Sequence, residues 1–431
     1  VTAVAARLQA PRGTFDVLPG QAALRERLVA QLASPLFARA GYGRIETPIF
    51  EDTALFARGV GESTDIVSKE MYTFSDQGDR SITLRPEGTA PVCRAYVEHG
   101  MHKLPQPVRL WYEGPFFRQE APQAGRYRQF FQIGAEALGS DDPALDAESI
   151  ALAARLLELA GVRGARLRIG SLGSGGERAE YGERLKQYLR AHEAELSEDV
   201  AARIDLNPLR AFDAKHEGTR AVMAGAPQLL DSISAEDRAH FDEVLALLDA
   251  AGVAYEVDGT LVRGLDYYTR TLFEFTSDKL GAQSGVGGGG RYDGLVELLG
   301  GPSTPGIGWA AGVERVLAAA EAEQPPPPEP AAFIALDDGA DRTAAFALLF
   351  TLRDEHGLAA QIELAGRSLK GQIKTAARAG AATLVIFGGG RGQYDAAVKN
   401  MATGEQNELD GLTAADYTSA IAERVIAGAA R

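Results

Sequence analysis

The sequence predicts an α+β protein in three parts: a mostly antiparallel sheet, a helical module inserted into it, and a smaller C-terminal α/β domain. Three observations carry this. Strand-like runs follow one another with little helix between them across 80–138, and resume at 167–169 and 271–276; that spacing favours an antiparallel sheet over a doubly wound one. From about Ser171 to Ala254 the composition turns helical and charge-rich. Past Gln324 the run Pro325-Pro326-Pro327-Pro328-Glu329-Pro330 can be neither helix nor strand, because each proline lacks an N–H and fixes φ. It reads as a polyproline II spacer.

Taken in order, Leu24 to Ala40 reads as an amphipathic helix, and Ile45-Glu46-Thr47-Pro48-Ile49-Phe50 as a strand carrying a proline. Further strands are expected at 80–84, 108–117, 129–138, 167–169 and 271–276, with helices over 88–99 and 146–160. Within the insert, Glu177–Ser197 and Asp237–Ala250 read as helices. Beyond the spacer, strands at 333–336, 360–364 and 382–387 alternate with helices at 342–356 and 369–379, which predicts a largely parallel sheet. The boundaries are therefore 1–170 with 255–324 for the main domain, 171–254 for the insert, 325–330 for the linker and 331–431 for the last domain.

Composition narrows the function classes. The 431 residues carry 44 Lys+Arg against 59 Asp+Glu, a net charge of −15, which excludes a uniformly basic nucleic-acid binder but not a local basic surface. The single cysteine, Cys93, excludes an internal disulfide and a cysteine-based zinc site. It fits a reducing compartment, and no apolar run reaches the ~18 residues of a membrane span, so the expected location is cytoplasmic, with no membrane contact. The six histidines show no metal-site spacing, so no metal held by the protein is expected.

Gly285-Val286-Gly287-Gly288-Gly289-Gly290 matches a dinucleotide fingerprint only formally. Gly300-Gly301-Pro302 and Pro305 interrupt the unit of about 30 residues that such a fingerprint needs. Close backbone packing is the better reading, with Arg291-Tyr292-Asp293 at a ligand wall. Four other segments place arginines and carboxylates at strand ends or helix starts. In Trp111 to Glu120 a hydrophobic strand ends in Arg118, where a guanidinium can grip phosphate, although an edge-strand charge would look the same. Leu84-Arg85-Pro86-Glu87-Gly88-Thr89 begins a helix, so Glu87 and Thr89 either read an ammonium group or cap that helix. Arg263-Gly264-Leu265-Asp266-Tyr267-Tyr268 sets a cation, a carboxylate and two phenols beside a strand, and Gly306 to Arg315 runs from a glycine-spaced strand into a helix.

Together these segments resemble the class II aminoacyl-tRNA synthetases, and in detail the histidyl-tRNA synthetase family. Gly43-Arg44-Ile45-Glu46-Thr47-Pro48 is similar to motif 1, Phe117-Arg118-Gln119-Glu120 through Gln132-Ile133-Gly134-Ala135-Glu136 to motif 2, and Gly306 to Arg315 to motif 3. Arg263 to Tyr268 and Gly289-Gly290-Arg291-Tyr292-Asp293 look like the two histidine-specific signatures, and Asn207-Pro208-Leu209-Arg210 resembles the family's insert. The resemblance spans essentially the whole chain. It departs at Phe131, where many relatives have histidine, and at Gly287 and Gly288, where they have Cys or Ala. Phe131 would remove a polar partner beside the substrate and the glycines would loosen one wall.

The resemblance implies a class II synthetase-like catalytic domain with an anticodon-binding domain after the linker. The implied activity is histidine--tRNA ligase, with L-histidine, ATP and tRNA(His) as substrates, Mg2+ on the ATP phosphates, and a homodimer formed through motif 1. Arg118 and Arg263 would be catalytic at the α-phosphate, and Glu120, Arg126 and Arg315 would bind ATP. Glu87, Thr89 and Gln132 would meet the ammonium group, Glu136 and Tyr268 the imidazole, with Arg263 and Tyr267 alongside. A basic footprint for tRNA is expected at Arg367, Lys370, Lys374 and Arg378, within a stretch from Arg367 to Lys399 that contains Arg391 and a single acid, Asp395. The alternative is a non-catalytic, histidine-binding regulatory paralogue of histidine biosynthesis. Such proteins typically lose the Arg263–Tyr268-type signature and the last domain, both of which are present here.

Overall fold

A computed structural model describes residues 8–61, 64–120, 125–174, 176–206, 208–262, 264–281, 284–388, 395–411, 413 and 416–429. Asn207, Arg263 and Arg391 lie outside them. The chain forms two compact units, Val1–Pro325 and Pro326–Arg431, divided inside the proline run.

The strands of the first unit are β1 (Gly43–Arg44), β2 (Phe50–Asp52), β3 (Tyr72–Ser75), β4 (Ser81–Leu84), β5 (Val108–Phe117), β6 (Gln129–Leu138), β7 (Arg166–Ser171), β8 (Glu256–Val257), β9 (Thr269–Thr276), β10 (Gly285–Arg291) and β11 (Gly306–Gly312). Eight of them make one sheet in the order β1-β5-β6-β11-β10-β9-β7-β8. Its inner strands are antiparallel throughout, and only the outermost pairs, β1 with β5 and β7 with β8, are parallel. The remaining three form a small sheet, β2-β4-β3.

The two faces of the large sheet follow from the period-two alternation of side chains. Trp111, Ile133, Ala135, Phe273, Ile307 and Trp309 project to one face, where the helices Pro143–Leu159 and Val313–Ala319 seal the main core. Tyr112, Phe116, Phe130 and Tyr292 belong to the other, against the helix Thr89–Glu98. The glycines of β10 serve that closeness: a Cβ on Gly287 would stand 2.7 Å from the Ala311 methyl, and one on Gly289 would stand 1.9 Å from the Gly308 carbonyl oxygen.

Several expectations change. The strand expected over Ile45–Phe50 is irregular up to Phe50, where β2 begins, because Pro48 has no N–H to give a ladder and the Thr47 carbonyl is taken by Arg85 at 2.9 Å. The first helix begins at Pro19 rather than Leu24 and continues to Arg39 through a π-turn over Arg27–Ala33, just before Pro35. The helix Ala235–Ala250, assigned by its composition to the insert, packs Phe241, Val244 and Leu248 into the main core. The insert's own core centres on Tyr181, Leu185, Leu189 and Ile204 and meets the sheet through Leu261, Tyr268 and Leu272.

In the second unit the strands are β12 (Ala332–Leu336), β13 (Ala360–Ile362), β14 (Thr383–Phe387), β15 (Ala396–Asn400) and β16 (Gln406–Leu409), in the order β13-β12-β14-β15-β16. Only β12 pairs in parallel, with β13 and β14; β14, β15 and β16 are antiparallel, so the sheet is mixed rather than largely parallel. The last two strands are only five and four residues long, and the final one is mostly polar and exposed, so neither carries an alternation strong enough to mark it in the sequence.

Candidate active site

On the Thr89–Glu98 side of the sheet lies a cavity of about 580 Å³. Arg118, Glu120, Arg126, Phe130, Gln132 and Arg315 line it, together with Glu70, Glu274 and backbone of Gly285 and Gly287. Arg118 leaves the end of β5 and donates from Nε to the Pro86 carbonyl at 2.9 Å, with its guanidinium 5.5 Å from the Phe130 ring. Glu120 sits between Arg118, at 3.8 Å, and Arg126, at 2.8 Å. Arg315, at the head of the helix after β11, donates to the carbonyls of Gly285 (2.5 Å) and Gly125 (3.2 Å). Burial pushes the Arg315 pKa down, and the nearby Arg126 charge adds to that. An anion between the two guanidiniums would remove the repulsion.

Beyond the cavity lies a cluster centred on Glu136 of β6, which is 0% exposed. Its carboxylate accepts from the Thr89 hydroxyl at 2.8 Å, the Tyr112 hydroxyl at 3.2 Å and the Tyr292 hydroxyl at 2.5 Å. Among the described residues no cation pairs with it. Burial raises its pKa to about 8; the hydroxyl donors pull it down and the charge of Glu87 pushes it up again. The space for this carboxylate comes from Gly308 on the neighbouring strand, where a Cβ would fall 1.7 Å from Glu136 Oε2.

Glu87 performs the capping role left open by the sequence. Its two oxygens accept from the N–H groups of Thr89 (2.8 Å) and Ala90 (3.0 Å), and the Tyr267 hydroxyl reaches Oε2 at 3.4 Å. Burial raises its pKa. Gln132 presents a buried Oε1 with no hydrogen-bond partner among the described residues, an unmet acceptor that a donor on a ligand would satisfy. Tyr268 is buried, with its ring 4.7 Å from that of Tyr267.

The structure thus gathers Glu87, Thr89, Glu136, Tyr267 and Tyr268 at one end and Arg118, Glu120, Arg126 and Arg315 at the other, with Gln132 on the cavity wall. Tyr292 belongs to a segment the sequence already sets at a ligand wall, but Tyr112 as a partner of Glu136 and Glu70 on the cavity wall carry no signal of their own; the alternation along β5 places Tyr112 on the Glu136 face, but only register pairs it with Gly134. Three expectations about this region fail. Phe131 points away from the cavity: Arg25 lies 3.6 Å over its ring, and its N–H donates to Glu314 at 3.1 Å. Alternation forces this, since Phe130, Gln132, Gly134 and Glu136 share the opposite face. Arg291 likewise is not at a ligand wall but fully buried behind the sheet on Asp146, and only Tyr292 turns toward Glu136. Nor does Gly287 widen a wall by lacking a side chain, since its missing Cβ faces Ala311.

In the second unit Lys370, Lys374 and Arg378 form an exposed stripe on the helix Leu369–Arg378, opposite the buried Gln372 and Ala376. Arg367 pairs instead with the buried Glu363 at 3.3 Å.

An antiparallel sheet of this order, with arginines converging on one cavity and a helix leading out of its glycine-spaced strand, defines a catalytic domain of the class II aminoacyl-tRNA synthetases. The family model for histidyl-tRNA synthetase matches residues 13–316. The histidine--tRNA ligase of Desulforamulus reducens is 49% identical over 93% of this chain and 96% of its own. That of Rhodococcus erythropolis is 51% identical over 94% and 96%. The crystal structure of S. aureus histidyl-tRNA synthetase superposes with a TM-score of 0.76 at 38% identity, covering 97% of this chain and all of the other. The chain belongs to the histidyl-tRNA synthetase family.

Proposed function

We propose that the chain attaches histidine to tRNA in two steps at the site described. In the first, a histidine carboxylate oxygen attacks the α-phosphorus of ATP, forming histidyl-adenylate and releasing pyrophosphate. In the second, a hydroxyl of the tRNA 3′ terminal ribose attacks the acyl carbon, loses its proton and displaces AMP. The observation that carries the reading is Glu136, buried among hydroxyls, with no cation paired to it among the described residues, and next to a cavity rich in arginine. A buried carboxylate of this kind suits the ring N–H of an imidazole, which would take the place of one hydroxyl. An analogue without ring nitrogens would leave Glu136 unmatched.

In the first step two negative groups must approach in line, so the protein's contribution is positioning and charge neutralisation. Arg118 grips the α-phosphate, with Arg263 as a second cation from the signature segment. Glu120 frames the adenine, and Arg126 with Arg315 holds the outer phosphates, which relieves their mutual repulsion. Gln132 Oε1 accepts from the substrate ammonium group beside Glu87 and Thr89. Magnesium enters as part of the MgATP substrate, carried by the phosphates.

The tRNA body is met in part by the stripe Lys370, Lys374 and Arg378. Changing Lys370 and Lys374 to Ala is expected to reduce the log–log salt slope of tRNA binding by about 1 to 2, and an unchanged slope removes the stripe from the interface. A homodimer is supported by the motif 1-like segment and the adjacent Ile49 and Phe50, 45% and 49% exposed; sedimentation at micromolar concentration tests it. A cytoplasmic location is supported by the lone, buried Cys93.

ATP–pyrophosphate exchange with each of the twenty amino acids is the decisive experiment. Exchange with histidine alone is expected. Exchange with none, despite histidine binding, overturns the catalytic reading in favour of a regulatory one.

A further inference from the structure

β9 does not run straight into the Tyr267-Tyr268 pair. Leu272 pairs with Gly290, but the next residue of β10, Arg291, pairs with Thr269, so two residues of β9 bulge out of the ladder. One of them, Arg270, has φ of +42°. A residue with a Cβ holds that conformation only where its surroundings impose it, and bulges of this kind re-aim neighbouring side chains.

The surroundings are specific. Arg270 N–H donates to the Gly173 carbonyl and its own carbonyl accepts from Leu172 N–H, each at 2.8 Å. Its Nε donates to Asp237 Oδ1 at 2.8 Å. Asp237 is 1% exposed, and its other oxygen accepts from the Ser174 N–H (2.8 Å) and hydroxyl (2.9 Å). Burial pushes the Asp237 pKa up, but the Ser174 and Arg270 bonds outweigh it and hold the group as a carboxylate. Ser174 lies where the chain leaves the sheet for the insert, so one buried carboxylate ties that root to the bulge.

We infer that Arg270, gripped by Asp237, is a positioning residue for histidine recognition: it fixes the bulge that delivers Tyr267 and Tyr268 to the Glu136 cluster. The connection is short. Tyr268 is two residues away and packs on Gly290, where a Cβ would come within 3.1 Å of its ring. Tyr267 meets the Tyr292 ring at 5.8 Å. Arg270 acts on the substrate only through these tyrosines, so the inference rests on the proposed recognition role of that cluster.

The test is ATP–pyrophosphate exchange with KM measured separately for histidine and for ATP. Arg270→Ala is expected to raise the histidine KM by about tenfold or more while the ATP KM changes by less than about twofold. Asp237→Asn should reproduce this, and the double variant should be no worse than the worse single one, because both remove the same contact. Arg270→Gly, which frees φ, should fall between Arg270→Ala and the unaltered protein. Ser174→Ala should shift the histidine KM in the same direction by about two- to threefold.

Equal rises in both KM values, or independent multiplication of the two single effects, overturn the inference. If Arg270→Ala and Asp237→Asn do not fold, an unchanged histidine KM in both Arg270→Gly and Ser174→Ala overturns it equally. Tyr268→Phe separates the two layers of the argument. If it leaves the histidine KM unchanged, the recognition reading fails. If it raises that KM while the Arg270 variants do not, only the positioning role fails.

Discussion

Two fully buried carboxylates sit on opposite faces of the same sheet, and their partners differ in kind. Asp146, on the helical face, is bound by the guanidinium of Arg291 at 2.7 Å, by His240 Nε2 at 3.0 Å and by the Thr271 hydroxyl at 2.6 Å. Arg291, itself 0% exposed, continues to the Ser140 carbonyl at 3.2 Å and Asp293 at 2.9 Å. Glu136, on the cavity face, has three hydroxyls and, among the described residues, no cation. The first carboxylate is neutralised inside the protein and ties a helix to the sheet. The second meets dipoles alone, so burial keeps its proton on at neutral pH, and a ligand that brings an N–H or a positive charge would favour its ionised form. Burial alone does not distinguish structure from function; the charge balance within hydrogen-bonding reach does.

Glu136→Gln puts the strongest strain on this contrast. It should leave the fold intact and lower kcat/KM for histidine in pyrophosphate exchange by about a thousandfold, roughly 4 kcal/mol; retained exchange would falsify the assignment of Glu136 to recognition. Asp146→Asn should do the reverse. Taking the Asp146 charge away from the buried Arg291, with only the part-exposed Asp293 left beside it, is expected to cost about 3 kcal/mol or more in urea unfolding, with the histidine KM of the folded fraction nearly unchanged. A large KM effect without loss of stability would erase the difference between the two sites.

Tyr292→Phe removes one donor from Glu136 and should reduce kcat/KM by about tenfold, in line with roughly 1.5 kcal/mol for one lost hydrogen bond. The pH dependence is subtler. Because the folded-state pKa of Glu136 is raised from 4.5 to about 8, the folded protein holds a proton that the unfolded chain has lost. Its contribution to stability is fully present below the ordinary glutamate range, declines as pH rises and levels off above about 8. Thermal unfolding of Glu136→Gln should lack that decline, and equal slopes in the two proteins would place the proton elsewhere. Smallest of all, Phe131→Leu should cost about 1 kcal/mol through its lost contact with Arg25 and leave the histidine KM unchanged. A rise in that KM would show that the two faces of β6 are not separate.

Much of this was legible in the chain. The ranges of β5 and β6 coincide with the runs read at 108–117 and 129–138, because long apolar stretches bounded by turn residues carry their own signal. Phe131 looks like a cavity residue because its neighbours in sequence, Phe130 and Gln132, do face the cavity, whereas strand alternation turns it to the opposite face. Arg291 was misread because a signature spanning both faces of a strand looks contiguous in sequence. Tyr112 and the Asp237–Arg270 pair had no local signal at all, since their partners lie 24 and 33 residues away.

The sequence by itself determined the family, the division at the proline run and the residue types of the site, because these are encoded in local pattern and spacing. Only the tertiary structure decided which carboxylate is paired with a guanidinium and which, among the described residues, is met by hydroxyls alone. That depends on strand register and on which face each side chain occupies: a shift of one residue along β6 would carry Glu136 to the helical face.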